Sequence, residues 1–269
     1  VTRARLVAAH VFKESIRDRV LFAIAGFALV LVAASVVIGQ ITAGQDMRII
    51  KNLGLAAIEL SGVLMAVFIG VGLVAREIER RSVYNVLAKP VRRWEFIVGK
   101  YVGLICTLLV NVALMTAVLF VVLAWFEWTT PAEVTRGWTV PALDPALLKA
   151  VVMIAAELLV LTAVALLVST FSSSGVMSAV LTLGVWVAGQ LSADLRMFVA
   201  PGAPWLTTMV HMAGAVVPAF SEFDIKAQVV NGRPPVGWSV IAVTLAYASA
   251  YITAMVAAAV AVFTRREFT

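Results

Sequence analysis

Charge, cysteine and histidine are all scarce in this chain. Asp, Glu, Lys and Arg make up 13% of its 269 residues, about half of the roughly 25% usual in soluble domains. There is one cysteine, Cys106, so no intrachain disulfide can form; a small residue inside an apolar run, it is expected in the core. The two histidines, His10 and His211, lie far apart in sequence. Met209, His211 and Met212 offer soft donors that suit copper, but no His/Cys constellation forms around them and no metal site is assigned. A G-x-x-x-x-G-K-[ST] phosphate loop is also missing: Gly99-Lys100 has Trp94 where the first glycine belongs. No nucleophile–base pair or catalytic carboxylate pair stands out, so these residues are not expected to form an enzyme.

Apolar sequence is abundant. The chain is 62% hydrophobic, with a mean hydropathy of +1.01, which predicts an integral membrane protein. Six runs can span a bilayer, which takes about 20 mostly apolar residues: Val20–Gly39, Leu53–Ala75, Tyr101–Phe126, Leu147–Phe171, Gly175–Leu191 and Trp238–Phe263. None has the ten-residue alternation of a membrane barrel, so the spans are expected to be helices that satisfy their own backbone groups. Little sequence remains, which predicts one transmembrane domain over residues 1–269 and no soluble domain. The first run exceeds the roughly 7–15 residues of a signal core and follows a 19-residue charged lead, so it is read as an uncleaved span.

Basic residues set the orientation. With the N-terminus inside, fourteen Lys and Arg fall on the inner side and seven on the outer, the sign required by the positive-inside rule. Trp125, Trp128, Trp138, Trp205 and Trp238 fall at or beyond outer span edges, where indoles favour the headgroup layer. Topology therefore explains the formal charge of +6, and no nucleic-acid partner is expected. Both termini are placed in the cytoplasm.

Three segments between or before the runs are distinctive. Residues 1–19 lack proline and glycine; Ala8, Phe12, Ile16 and Val20, with Ala9 beside them, share one face. This predicts an amphipathic helix along the inner membrane surface, against the alternative of an extension of the first span; Val7 and Val11 break the pattern. Residues 76–100 hold seven of the 21 Lys and Arg. Apolar Val83, Tyr84, Val86 and Leu87 precede Lys89-Pro90, where proline stops the helix, and a new helix starts at Arg92, Arg93 and Trp94. The result is a compact cytoplasmic knob shaped to touch another protein. In the loop 193–237, the apolar stretch Met197–Phe220 is interrupted by Pro201, Pro204 and Pro218. Proline blocks helix continuation, so the stretch is expected to be an outer re-entrant or interfacial hairpin rather than a seventh span.

The spacing Glu77-x-Glu79-x-x-Ser82, then Leu87-x-Lys89-Pro90-Val91-x-Arg93-x-Glu95-Phe96, then Gly99-Lys100-Tyr101-x-Gly103 resembles the signature of type-two ATP-binding-cassette permeases, as does the closing Arg265-Arg266-Glu267-Phe268. The resemblance implies an all-α fold of six transmembrane helices, an N-terminal amphipathic interfacial helix, and an outer hairpin between spans five and six. It also implies a coupling helix between spans two and three that docks on a separate ATPase. Val83, Tyr84, Val86 and Leu87 would then fill a groove on that partner, flanked by Arg80, Arg81, Arg92 and Arg93. The implied assembly has two permease copies, read as a homodimer, and two ATPase copies. ATP and Mg would be bound by the ATPase and no cofactor by this chain. Membrane lipid and an outer-face protein are further expected partners, and the location implied is the bacterial or archaeal cytoplasmic membrane.

Polar residues inside the runs are the remaining candidates. Glu59 and Glu157 sit roughly 9 and 15 Å from the outer ends of their runs at 1.5 Å per residue, and Asn111 lies mid-run. A carboxylate at mid-bilayer costs about 2.5–3.5 kcal/mol, so these three are assigned to a substrate path or dimer seam, against the alternative of hydrogen-bonded glue between helices. Lys149 is expected to snorkel. The small pairs Gly99/Gly103, Gly184/Ala188 and Ser174/Ser178 allow close helix approach, at a dimer seam or within one chain. The leading function is the permease subunit of an ATP-driven exporter. The alternatives are an ion-coupled carrier or channel using Glu59 and Glu157, and a non-transporting membrane anchor or transmitter for an ATPase.

Overall fold

Each of the six apolar runs coincides with a helix. The computed structural model describes residues 2–16, 19–41, 46–79, 92–131, 135, 141–172, 174–192, 217–234 and 236–265, and every regular element among them is helical. In order they are α1 (Thr2–Ile16), α2 (Arg19–Ile41), α3 (Asp46–Glu79), α4 (Arg93–Thr129), α5 (Ala146–Phe171), α6 (Gly175–Gln190), a short 3-10 turn (Phe220–Phe223), α7 (Lys226–Val230) and α8 (Trp238–Arg265). Four helices are long and apolar enough to cross a membrane, over Met47–Phe68, Trp94–Thr129, Ala146–Phe171 and Trp238–Arg265. The apolar stretches described within α2 and α6, Ile24–Ala34 and Gly175–Gln190, are shorter. Most of the outer hairpin proposed from sequence, residues 193–216, lies outside the described residues.

Local chemistry sets the helix ends. Asp144 Oδ1 accepts from Ala146 N at 2.8 Å to open α5, and Ser174 Oγ accepts from Met177 N at 3.2 Å to open α6; each satisfies an orphan donor of a first turn. At the end of α4, Thr130 Oγ1 donates to Phe126 O at 2.6 Å, and Pro131 follows. The helices outrun their apolar cores: α3 starts at Asp46, seven residues before its run, and continues to Glu79.

The bundle is built around α5, which is buried on nearly every side, as expected for a helix that is apolar all round. It packs against α3, α4, α6 and α8. Glycines bring neighbours close: a Cβ on Gly54 would stand 2.4 Å from Leu119 Cδ1, and one on Gly62 would stand 2.2 Å from Leu158 Cδ1.

Gly99 and Gly103 serve packing within the chain. A Cβ on Gly99 would lie 2.8 Å from Ala4 O and from Val7 Cβ; one on Gly103 would lie 2.8 Å from Ala8 O and 2.7 Å from Val11 Cβ. α1 therefore advances in step with α4, seated in a glycine groove. The docked face corrects the sequence reading. Val7 and Val11, which interrupt the expected stripe, point into the seam, and Val11 is 3% exposed, whereas Ala9 is exposed. Glycines opposite admit β-branched ridges that a pattern based on α1 alone cannot anticipate. Cys106 is a second correction: it is exposed on α4, on the side that carries Val102, Leu109 and Val110, not in the core.

Candidate functional site

Three helices and one short connecting segment bring their polar side chains to one point. Glu59 comes from α3, Glu157 from α5, Trp186 and Gln190 from α6, and Lys226 from the start of α7. Counted from the first residues of α3 and α5, the two carboxylates lie at similar depths, about 20 and 16 Å along their axes.

The network is well connected. Glu157, 1% exposed, takes two donors on Oε1: Trp186 Nε1 at 2.8 Å and Gln190 Nε2 at 2.7 Å. The same Gln190 amide reaches Glu59 Oε1 at 3.4 Å. Glu59 Oε2 is paired with the Lys226 ammonium, which also has Asp224 Oδ2 at 3.7 Å. Burial pulls the Lys226 ammonium toward its neutral form, but Glu59 beside it, then Asp224 and Glu157, outweigh burial and raise its pKa above the ordinary 10.5. One lysine thus faces two buried carboxylates, and among the described residues Glu157 has no ion-pair partner of its own.

The 217–230 segment that carries Lys226 is seated on the bundle by further contacts. A Cβ on Gly189 would stand 2.4 Å from Pro218 O and from Phe220 Cδ2, so α6 presents a bare backbone to this segment. Phe220 and Phe223 are buried, Ser192 and Ser221 hydroxyls lie 3.1 Å apart, and Ala219 N donates to Tyr247 Oη at 3.2 Å. Asp224 Oδ1 accepts from Lys226 N at 3.0 Å, fixing the turn that aims the lysine.

Of the three intramembrane candidates, Glu59 and Glu157 are joined through Gln190. Asn111 stays outside this network: it is buried in α4, and its Oδ1 has no hydrogen-bond partner among the described residues. Gln190, Trp186 and Lys226 are absent from the sequence-based set. Trp186 and Gln190 are four apart on α6 and continue a stripe from the buried Ser178 and Thr182; that spacing is the signal that could have found them. Two other lysines likewise anchor connecting segments. Lys51 Nζ donates to Pro141 O at 2.5 Å. Lys149 does not simply snorkel: its Nζ donates to Val236 O at 3.1 Å and lies 4.7 Å from the Trp238 ring centre.

Of the proposed coupling residues, Arg80, Arg81, Ser82, Val83, Tyr84, Val86, Leu87, Lys89 and Pro90 lie outside the described residues. Glu77 and Glu79 fall in the last turn of α3, and Arg93 opens α4. Arg92 is exposed, and its N–H donates to Glu95 Oε2 at 3.1 Å. Glu95, 7% exposed, thus turns its carboxylate back on the start of α4.

No curated protein sequence matches the chain significantly. The sequence pattern of the ABC-2 family transporter proteins matches residues 5–268, from the first turn of α1 to the penultimate residue. With that match and four helices able to cross a bilayer, the chain belongs to the ABC-2 transporter family, as the membrane permease subunit of an ATP-binding-cassette transporter that pairs with a separate ATPase.

Proposed function

We propose that this subunit is an exporter half, working as a homodimer with two ATPase copies, with six spans and both termini in the cytoplasm. The observation that carries the reading is the family match over residues 5–268. It is supported by a 12-residue connection (80–91) between two long apolar helices, α3 and α4, and by the charge bias of the whole chain. In this orientation the α3–α4 connection faces the cytoplasm, where Val83, Tyr84, Val86 and Leu87 meet the ATPase and Arg80, Arg81, Arg92 and Arg93 flank the contact. ATPase closure shifts the permease between two states by differential contact. The location is the bacterial or archaeal cytoplasmic membrane, with α1 at its inner surface and the 197–220 stretch on the outer side.

The Glu59–Gln190–Glu157 cluster lies on the moving path of this subunit. Burying carboxylates in a membrane bundle is costly and is most often tied to function. Affinity purification of the tagged chain from native membranes is expected to bring down an ATP-binding-cassette ATPase in equal amount. Recovery of the chain alone, under detergent conditions that preserve the dimer, would contradict the reading.

A further inference from the structure

We infer that Lys226 is a charged joint through which α3 moves the outer segment 217–230, with Glu59 as its acceptor in the state seen here and Glu157 as its second acceptor. The inference rests on the reading above that residues 80–91 receive the motion of an ATPase.

Three observations lead to it. First, α3 is one unbroken helix from Asp46 to Glu79, and its last residue adjoins the coupling segment. Glu59 lies 20 residues earlier, about 30 Å along a rod of 1.5 Å per residue. A shift imposed at the coupling end therefore reaches Glu59 without a hinge among the described residues. Second, the only described ion-pair partners of Lys226 are Glu59 and Asp224. Asp224 belongs to the same segment as the lysine, so Glu59 is the charge contact that links this segment to another element. Third, the acceptors come in a pair. Gln190 donates to both Glu59 and Glu157, and Glu157 has no cation of its own among the described residues. When α3 carries Glu59 away, a lysine left without a partner in a buried place would be costly; Glu157, on the enclosed helix α5, is the carboxylate beside it. Two discrete partners for one cation make a two-position element, the kind of device that coupling between distant sites requires. The charged groups acting on Lys226 are Glu59 from α3, Glu157 from α5 and Asp224 from its own segment, while Gln190 from α6 bridges the two glutamates and Trp186 donates to Glu157.

The test uses the complex of this chain with its ATPase and reads hydrogen exchange across residues 217–230 with and without ATP and vanadate, alongside hydrolysis. In the native complex, exchange in this segment is expected to change several-fold on nucleotide trapping. Lys226→Met is expected to raise resting exchange at least tenfold and abolish the nucleotide response, while hydrolysis continues. Glu59→Gln should match it, and the double substitution should be no worse than either single one. Glu157→Gln separates a joint from a mere anchor: resting exchange stays as in the native chain, because Glu59 still holds the lysine, but the nucleotide response is lost. A native-like response in Lys226→Met or Glu157→Gln overturns the inference, as does a native complex that hydrolyses ATP with no change at 217–230. A chain that neither binds an ATPase nor alters its hydrolysis would instead sink the functional reading, and this inference with it.

Discussion

Among the described residues, Lys226 ties its segment to α3 through a single charge pair with Glu59. Its ammonium is mostly buried against Glu59, and removing one partner of a buried pair leaves the other uncompensated, a loss of about 3 kcal/mol. Lys226→Met is accordingly expected to loosen the 217–230 segment in the isolated chain, measured as faster proteolysis there with the spanning helices intact. The sign of the pH response follows from the raised lysine pKa. The stabilisation is complete below the ordinary 10.5 and is lost only as pH climbs through the higher folded value. Docking of this segment should therefore be insensitive to this group around neutrality and fail on the strongly alkaline side. Loss of docking on passing from pH 7 to 9 would contradict that assignment. At this scale, Glu59 and Glu157 were legible in sequence because a carboxylate in an apolar run has few acceptable surroundings. Lys226 was not, because a lysine beyond a span edge is read by its charge, and the helix that buries it is remote in sequence. Cys106 misled for a related reason: the usual burial of free cysteine does not tell a core position from an exposed flank of the same helix.

At the scale of elements, the seam between α1 and α4 is decided by missing side chains. Gly99 and Gly103 leave no room for a Cβ beside Ala4, Val7, Ala8 and Val11. Gly103→Val should cost about 1–3 kcal/mol through overpacking and displace α1, seen as new thiol reactivity of a cysteine placed at Val11 in a Cys106→Ser background. Unchanged protection of that cysteine would show that α1 is held by other contacts. Helix existence was readable throughout, since long apolar runs leave few alternatives in a bilayer. Helix length was not: α3 begins at Asp46, before its apolar stretch, and α4 runs on to Thr129, where Thr130 caps Phe126 O, rather than stopping at the edge of its run. The α1 stripe was misread because period alone identifies a face but not the shape of what it meets.

For the molecule as a whole, the division of labour between this chain and its ATPase follows from family membership, and the coupling segment is where the two are proposed to meet. The helices over the apolar runs, four of them long and apolar enough to cross a bilayer, could be read from hydropathy. The polar cluster could not, because it forms only when residues 59, 157, 190 and 226 are brought together by folding. The account depends most on force entering through residues 80–91. The measurement that tests this most directly is ATP hydrolysis and transport by the reconstituted complex carrying Tyr84→Asp or Leu87→Asp. The account predicts that each substitution leaves the bundle folded but removes permease-dependent stimulation of hydrolysis and stops transport. Full stimulation and full transport in both variants would contradict it.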